Sequence, residues 1–133
     1  MEQKAKKILV IDDDDGVRRT LCDGLRDCGY LVWEAENGEQ AMRRIDKGMQ
    51  PDMIVTDIIM PDKSGIQTIM EIRDKYPDIK LLAISGGGHA RNVDYLEVAR
   101  KMGAHAIMHK PIKMKELEDL AREMVGESHA RND

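Results

Sequence analysis

The sequence predicts a doubly wound α/β domain, with a five-stranded parallel sheet and helices on both of its faces. Short apolar runs alternate with amphipathic stretches five times along the chain, which is the pattern of successive β-α units. The runs are continuously apolar, as in Lys7–Ile11, and this is typical of strands buried on both faces. A length of 133 residues accommodates one core but not two ordinary domains. We therefore expect one domain over residues 1–126 and a polar tail over 127–133.

The first unit begins with the strand Lys7–Ile11, which ends at four consecutive aspartates, Asp12–Asp15. The helix that follows carries its apolar side chains on one face: Val17, Leu21, Leu25 and Cys28. Asp14 or Asp15 is expected to cap the start of this helix, and Gly29 to end it. An isolated acidic run is usually a solvated turn, so its function depends on what lies near it in the fold.

The second and third units follow the same pattern. Their strands are predicted at Tyr30–Ala35 and Asp52–Thr56, with Asp57 at the end of the latter. Their helices are predicted at Gly38–Lys47 and Ser64–Lys75. The side chains expected to face the sheet from these helices are Ala41, Met42, Ile45, Ile66, Ile69, Met70 and Arg73.

The last two units complete the alternation. Their strands are predicted at Ile79–Ile84 and Ala104–Met108, and their helices at His89–Met102 and Lys113–Val125. The side chains expected to face the sheet from these helices are Val93, Leu96, Ala99, Met102, Leu117, Leu120 and Met124.

Composition excludes several classes of function. The net charge is −4 and no basic run occurs, which disfavours direct binding to nucleic acid. Aromatic residues make up only 3% of the chain, too few to stack bases or to flank a flavin. No apolar stretch approaches the length of a membrane span, and the N-terminus has no signal-peptide core, so we expect a cytoplasmic protein. Cys22 and Cys28 lack CxxC or zinc spacing and are interpreted as reduced packing residues.

The residues that end the strands indicate a site. In an open parallel sheet, ligands bind beyond the carboxyl ends of the strands. The polar residues at these ends are Asp12, Asp13, Glu36, Asp57, Ser85 and Lys110, the last followed by Pro111. Clustered carboxylates repel one another unless a cation compensates them, and oxygen ligands without Cys or His favour Mg²⁺. A carboxylate beside such a cation can attack phosphorus and form an acyl phosphate.

Four motifs at these positions resemble the receiver domains of response regulators in two-component signalling, the CheY-like superfamily. The segment ILVIDDDDGVR at 8–18 is similar to their first strand and acidic pair. The segment TDIIMPDKSG at 56–65 is similar to their phosphoacceptor pattern, D-x-x-M-P-x-x-x-G. Ser85 after LLAI and the pair Lys110–Pro111 complete the set. The resemblance covers about residues 6–125, nearly the whole chain.

This resemblance implies a fold and a set of metal ligands. The implied sheet has the flavodoxin-like strand order 2-1-3-4-5 that receivers of this superfamily adopt. Asp57 would be the phosphoacceptor and one of the metal ligands. Asp13 would bind Mg²⁺ directly, and Asp12 would act mainly through a metal-bound water. The backbone carbonyl of Ile59 would be a further ligand.

The resemblance also implies roles for the remaining residues and for partner proteins. Lys110 would bind the phosphoryl group, Ser85 would hydrogen-bond it after transfer, and the peptide between Lys110 and Pro111 would be cis. The phosphoryl donor would be a sensor histidine kinase or a histidine phosphotransfer protein. A downstream protein would bind the face formed by the fourth helix, the fifth strand and the fifth helix. The chain would be a switch with slow self-dephosphorylation, not an enzyme.

One position departs from the pattern of the family. Ile107 stands where receivers usually carry Tyr or Phe, an aromatic ring that turns inward when the Ser or Thr moves. The usual aromatic readout therefore cannot operate in this chain. The run Gly86–Gly88 is expected to make the neighbouring loop unusually mobile instead.

Three other functions fit these residues less well. An aspartate-based hydrolase would need a second Asp where Ile59 stands. An interaction domain that works without phosphorylation would keep clustered carboxylates at a cost in stability, although Ile107 leaves this alternative open. A flavodoxin-like electron carrier would need a phosphate-cradling Ser/Thr loop and more aromatic residues than this chain has.

Overall fold

The structure of the chain is a computed structural model that describes residues 5–58, 65–86 and 95–128. Five strands and five helices alternate along these residues. The strands are β1 (Lys7–Ile11), β2 (Leu31–Ala35), β3 (Met53–Asp57), β4 (Lys80–Ser85) and β5 (Ala106–His109). The helices are α1 (Asp15–Asp27), α2 (Gly38–Asp46), α3 (Gly65–Lys75), α4 (Tyr95–Met102) and α5 (Met114–Val125).

All five strands pair in parallel, in the order β2-β1-β3-β4-β5. This confirms the predicted flavodoxin-like sheet. The strand order reverses between β1 and β3, which is where such sheets form a crevice at their carboxyl ends. In this register Ile11 of β1 lies opposite Thr56 of β3, and Asp57 lies opposite Ile84 of β4.

Helices cover both faces of the sheet and enclose one apolar cluster on each. Side chains of α1 and α5 form the first cluster, and side chains of α2, α3 and α4 form the second. Successive residues of β1 alternate between them, with Ile8 and Val10 in the first and Leu9 and Ile11 in the second. All four are fully buried, which explains why the strand has no polar face.

The ends of α1 follow the predicted signals. The Asp14 carboxylate accepts a hydrogen bond from the backbone N–H of Val17 at 3.1 Å, so Asp14 is the N-cap. Gly29 follows the helix with a φ of 95°, a left-handed conformation that favours glycine and ends the helix as predicted. Cys28 lies just beyond the helix and is half-buried.

Cys22 and Cys28 are both free thiols, which agrees with their interpretation as packing residues. Cys22 lies inside the first apolar cluster, and burial raises the pKa of its thiol to about 12. A thiol held in this protonated form is a poor nucleophile.

Two predicted core positions were wrong. Met70 and Met102 were expected to face the sheet, but they are 49% and 38% exposed. On α3 the buried side chains are instead Thr68, Ile69 and Ile72. For Met70 the reason is the close approach of α2 to α3, because a Cβ on Gly38 of α2 would overlap the Thr68 side chain. This contact turns the Thr68 side of α3 inward and Met70 outward.

Several predictions fall on residues outside the described ranges. These are the start of the fourth helix at His89, the side chains of Val93 and Leu96, the carbonyl of Ile59 and the glycines at 87–88.

The first residues of the predicted tail are attached to the domain. The buried hydroxyl of Ser128 accepts a hydrogen bond from the Lys6 N–H at 2.8 Å and donates one to the Gly29 carbonyl at 2.7 Å. The Tyr30 hydroxyl donates to the Gly126 carbonyl at 2.8 Å. These contacts lie at the amino ends of β1 and β2. None of the described helices is long and apolar enough to cross a membrane.

Candidate functional site

Three aspartates gather at the carboxyl edge of the sheet. Asp12 follows β1 and is fully buried, Asp13 is exposed, and Asp57 is the last residue of β3 and is buried. One carboxylate oxygen from each lies within 4.8 Å of the others. The register of the strands brings them together, because Ile11 and Thr56 are paired and an aspartate follows each of them.

Backbone hydrogen bonds position Asp12 and its carboxylate. The Asp12 N–H donates to the Ala35 carbonyl at 3.2 Å, which extends the pairing between β1 and β2. Its Oδ1 atom accepts a hydrogen bond from the Asp14 N–H at 2.9 Å. The turn into α1 therefore fixes the direction of this carboxylate.

Asp57 is positioned by the start of α3. Gly65 lies directly against it, since a Cβ at this position would overlap the Asp57 carbonyl and the Ile58 Cα. The Gly65 N–H donates to the Ile58 carbonyl at 3.1 Å, and the Ile58 N–H donates to the Ile84 carbonyl at 3.1 Å. The glycine of the D-x-x-M-P-x-x-x-G pattern is thus explained by this close approach.

Lys110 bridges the two buried carboxylates. Its Nζ atom lies 3.0 Å from Asp12 Oδ2 and 3.1 Å from Asp57 Oδ2. Its backbone N–H donates to the Ser85 carbonyl at 2.9 Å, and its peptide bond to Pro111 is cis, as predicted. Burial disfavours the charged ammonium, but the hydrogen bond with Asp12 and the charge of Asp57 outweigh it and raise the pKa of Lys110.

The Ser85 hydroxyl is a buried polar atom of the site without a partner among the described residues. Ser85 is 3% exposed, and its Oγ atom makes no hydrogen bond with residues 5–58, 65–86 or 95–128. A buried hydroxyl without a partner costs about 1–3 kcal/mol. Such an atom at a strand end is typical of a site that a ligand completes.

The donor set fits a hard divalent cation. Among the residues that the structure describes, the group consists of three carboxylates that offer only oxygen atoms, without His or Cys, and Lys110 supplies an opposing charge. Oxygen-only sets of this kind suit Mg²⁺. The structure therefore brings the predicted ligands Asp12, Asp13 and Asp57 together. Glu36 also ends a strand, but it is exposed and lies outside this carboxylate group.

An open groove of about 540 Å³ adjoins Lys110, between α1 and the segment after β5. Its walls are mainly apolar, with Val17 and Leu21 on one side and Pro111 and Ile112 on the other. The acidic edge of the sheet is therefore bordered by a mainly apolar groove.

Arg18 also contacts the site, although it was not among the residues predicted from the sequence. Its side chain is only 8% exposed, and its guanidinium donates to the Asp12 carbonyl at 2.8 Å. It also donates to Asp15 Oδ1 at 2.6 Å and to Glu34 Oε1 at 3.0 Å. The signal for it was its helical spacing from Leu21 and Leu25, because a charged residue on a buried face is almost always paired.

Comparisons with known proteins agree with this geometry. A model of the response regulator receiver domain matches residues 8–122. The sensor kinase CckA of Brucella abortus (strain 2308) is 31% identical over 119 residues, which are 89% of this chain and 12% of that protein. The DNA-binding transcriptional regulator NtrC of Azospirillum brasilense is 35% identical over 114 residues, which are 85% of this chain and 23% of that protein. The chain thus spans a small part of both relatives.

Solved structures show the same architecture. The crystal structure of a putative response regulator from Chloroflexus aurantiacus J-10-fl matches with a TM-score of 0.83 and 27% identity, covering 92% of this chain and 98% of that one. The chemotaxis protein CheY4 of Vibrio cholerae matches with a TM-score of 0.78 and 23% identity, covering 90% of this chain and 98% of that one.

Proposed function

This chain belongs to the response regulator receiver domain family, and from that premise we propose that it is a switch that accepts a phosphoryl group on Asp57. The observation that carries the proposal is the position of the Asp57 carboxylate, within hydrogen-bond distance of Lys110 and beside Asp12 and Asp13. The donor would be a phosphohistidine on a sensor histidine kinase or a histidine phosphotransfer protein. We propose that the phosphoryl transfer takes place in the cytoplasm.

Asp57 would act as the nucleophile. One of its carboxylate oxygens would attack phosphorus while the phosphorus–nitrogen bond of the donor breaks, and the electron pair of that bond would leave with the imidazole nitrogen. The product on this chain is an acyl phosphate. Because the transferred group carries most of the charge, the protein contributes mainly positioning and charge neutralisation.

Bound Mg²⁺ would supply positive charge next to the phosphoryl oxygens. Asp12, Asp13 and Asp57 would hold it, together with the carbonyl of Ile59, which lies outside the described residues. Support for this comes from the three oxygen donors already grouped within 4.8 Å.

Lys110 and Ser85 would bind the phosphoryl group after transfer. Lys110 Nζ contacts Asp57 Oδ2 at 3.1 Å, so its ammonium has the reach to contact oxygens attached to that carboxylate. The Ser85 hydroxyl would donate to another phosphoryl oxygen and gain a partner that it lacks among the described residues. The segment after Ser85 would follow this movement.

The signal would leave through the face formed by α4, β5 and α5. Ile107 on β5 is half-buried and packs against the second apolar cluster. Its aliphatic side chain stands where other receivers usually carry an aromatic ring. A groove of about 480 Å³ on this face lies between β5 and α5 and includes Ile107, His109 and Leu120. We propose this groove as the contact for a downstream protein.

The proposed function is a switch and not a multiple-turnover enzyme. Ile59 stands two residues after Asp57, at the position where an aspartate-based hydrolase would carry its acid/base. Self-dephosphorylation would then depend on water alone reaching the acyl phosphate and would be slow.

The test is intact-mass spectrometry after incubation with acetyl phosphate, with and without Mg²⁺. We expect one added phosphoryl group on the wild type, and we expect it only when Mg²⁺ is present. The variant Asp57→Asn should show no adduct. The matched control Asp78→Asn changes an exposed aspartate at the amino end of β4 and should be labelled like the wild type.

Equal labelling of Asp57→Asn and the wild type would refute Asp57 as the acceptor. Sustained release of phosphate over many turnovers would instead support the hydrolase alternative.

A further inference from the structure

Arg18 connects the turn that carries Asp12 and Asp13 to the edge strand β2. Its guanidinium makes three hydrogen bonds: to the Asp12 carbonyl, to Asp15 Oδ1 and to Glu34 Oε1. The first of these bonds is buried, and the last reaches across to β2. Arg18 is therefore a brace between three elements, β1, α1 and β2.

The brace acts on the backbone that carries the candidate metal ligands. On one side of Asp13, the Asp12 carbonyl is held by Arg18 at 2.8 Å. On the other side, the Asp14 N–H is held by Asp12 Oδ1 at 2.9 Å, and the Asp14 side chain caps α1. The exposed Asp13 carboxylate thus projects from a backbone segment that is fixed at both ends.

We propose that Arg18 is a positioning residue that holds Asp12 and Asp13 in the arrangement that binds the divalent cation, with Glu34 as its anchor on β2. This inference rests on the proposed function, since it assigns a supporting group to the same metal site. Groups that orient metal ligands from outside the coordination shell commonly change metal affinity by about 10- to 100-fold when they are removed.

Two effects of Arg18 oppose each other. Its positive charge repels a cation, while its hydrogen bonds order the ligands that bind one. Asp15 at 2.6 Å and Glu34 at 3.0 Å already offset the charge of the guanidinium. The ordering effect should therefore dominate, and the affinity for Mg²⁺ should fall when the brace is lost.

The experiment compares variants of Arg18 with the same variants of Arg19, its exposed neighbour on α1. Arg18→Lys keeps the charge but loses the planar fork that serves three acceptors, and Arg18→Met loses both. Arg19→Lys and Arg19→Met repeat these chemical changes one residue away. Glu34→Ala removes the anchor on β2 and leaves Arg18 in place.

The first measurement is the Mg²⁺ dissociation constant by titration calorimetry, at a temperature where every variant is folded. We expect it to rise about 10-fold in Arg18→Lys, less in Glu34→Ala, and less than about twofold in either Arg19 variant. A purely structural role would lower the melting temperature of Arg18→Lys and leave the dissociation constant unchanged, which would overturn the inference. Tighter Mg²⁺ binding by Arg18→Met would overturn it as well.

The second measurement needs no metal. Hydrogen exchange of the Asp14 amide should become faster in Arg18→Lys without Mg²⁺, while amides in the centres of β1 and β3 keep their protection. Unchanged exchange at Asp14 would refute the brace. If the wild type bound no Mg²⁺, the proposed function would fail, and the exchange result would still decide whether Arg18 positions the turn.

Discussion

Lys110 controls the charge balance of the acidic edge. Asp12 and Asp57 are both buried, and two carboxylates this close repel each other unless a cation lies nearby. The ammonium of Lys110 touches both, and the hydrogen bond with Asp12 and the charge of Asp57 raise its pKa despite its burial. Lys110 therefore partly neutralises the acidic edge and holds the Asp12 and Asp57 carboxylates in place.

Ser85→Ala should stabilise the fold while weakening the function. The Ser85 hydroxyl is buried without a partner among the described residues, so its removal should raise the free energy of unfolding by about 1 kcal/mol. The labelled fraction after incubation with acetyl phosphate should fall, because the phosphoryl group loses a donor. Urea denaturation and intact-mass spectrometry measure the two effects.

Ser128→Ala is the matched control for this prediction. Its hydroxyl is equally buried but has two partners, the Lys6 N–H and the Gly29 carbonyl. Its removal should lower the free energy of unfolding by about 1–3 kcal/mol and leave labelling unchanged. A similar loss of stability in Ser85→Ala would mean that its hydroxyl does have a partner in solution.

Most of the site residues could be predicted from the sequence because strand ends are visible in it. The abrupt change from an apolar run to Asp12, Asp57 or Ser85 marks a strand end, and parallel strands bring these ends to one edge. Glu36 also follows a strand but lies outside the carboxylate group. A position at a strand end predicts which edge of the sheet a residue occupies, but not which strands along that edge contribute to the site. Arg18 was missed because its three partners lie on different elements.

At the scale of elements, the start of α3 determines where the end of β3 lies. Gly65→Ala should be strongly destabilising, by about 2 kcal/mol or more, because the new methyl group would overlap the Asp57 carbonyl and the Ile58 Cα. These are backbone atoms, so the overlap can be relieved only by moving α3 or the end of β3 that carries Asp57. Denaturation with urea measures the loss, and reduced labelling should accompany it.

Gly16→Ala provides the comparison. Gly16 is exposed on α1, and a Cβ there would meet nothing closer than 3.4 Å. This substitution should leave stability unchanged or raise it by about 0.5–1 kcal/mol, since alanine favours helix more than glycine does. Equal effects of the two substitutions would show that the contact between α3 and β3 is not tight.

The position of every strand was predicted to within two residues, whereas the rotation of α3 was not. Ile66, Ile69, Met70 and Ile72 surround much of this helix, so periodicity allows more than one inward face. The choice is made by the contact between Thr68 and Gly38 of α2, which no local pattern reveals. Strands were easier, because a run buried on both faces needs no choice of side.

At the scale of the whole molecule, folding and cation binding should be coupled. When the free Mg²⁺ concentration is 100 times its dissociation constant, binding should raise the free energy of unfolding by about 2.7 kcal/mol. EDTA should remove this gain. Urea denaturation with and without Mg²⁺ measures it. The chain carries a net charge of −4, so NaCl at equal ionic strength is needed to separate general screening from specific binding.

Asp13→Asn should lose most of the Mg²⁺-specific gain and keep the gain from NaCl. Asp13 is exposed, so the substitution should cost little stability by itself. An equal response to Mg²⁺ in this variant and the wild type would place the cation elsewhere on the molecule.

The hydroxyl of Ser128 has a consequence for how the domain can be handled. Because it accepts a hydrogen bond directly from the Lys6 N–H, residues 6 and 128 lie side by side. They meet at the amino edge of the sheet, and Asp57 lies four residues along β3 from Met53 at that edge, a distance of about 13 Å. A short peptide that connects residues 6 and 128 would close the described part of the chain into a ring, and a surface tether at either residue would leave the acidic edge pointing towards the solution.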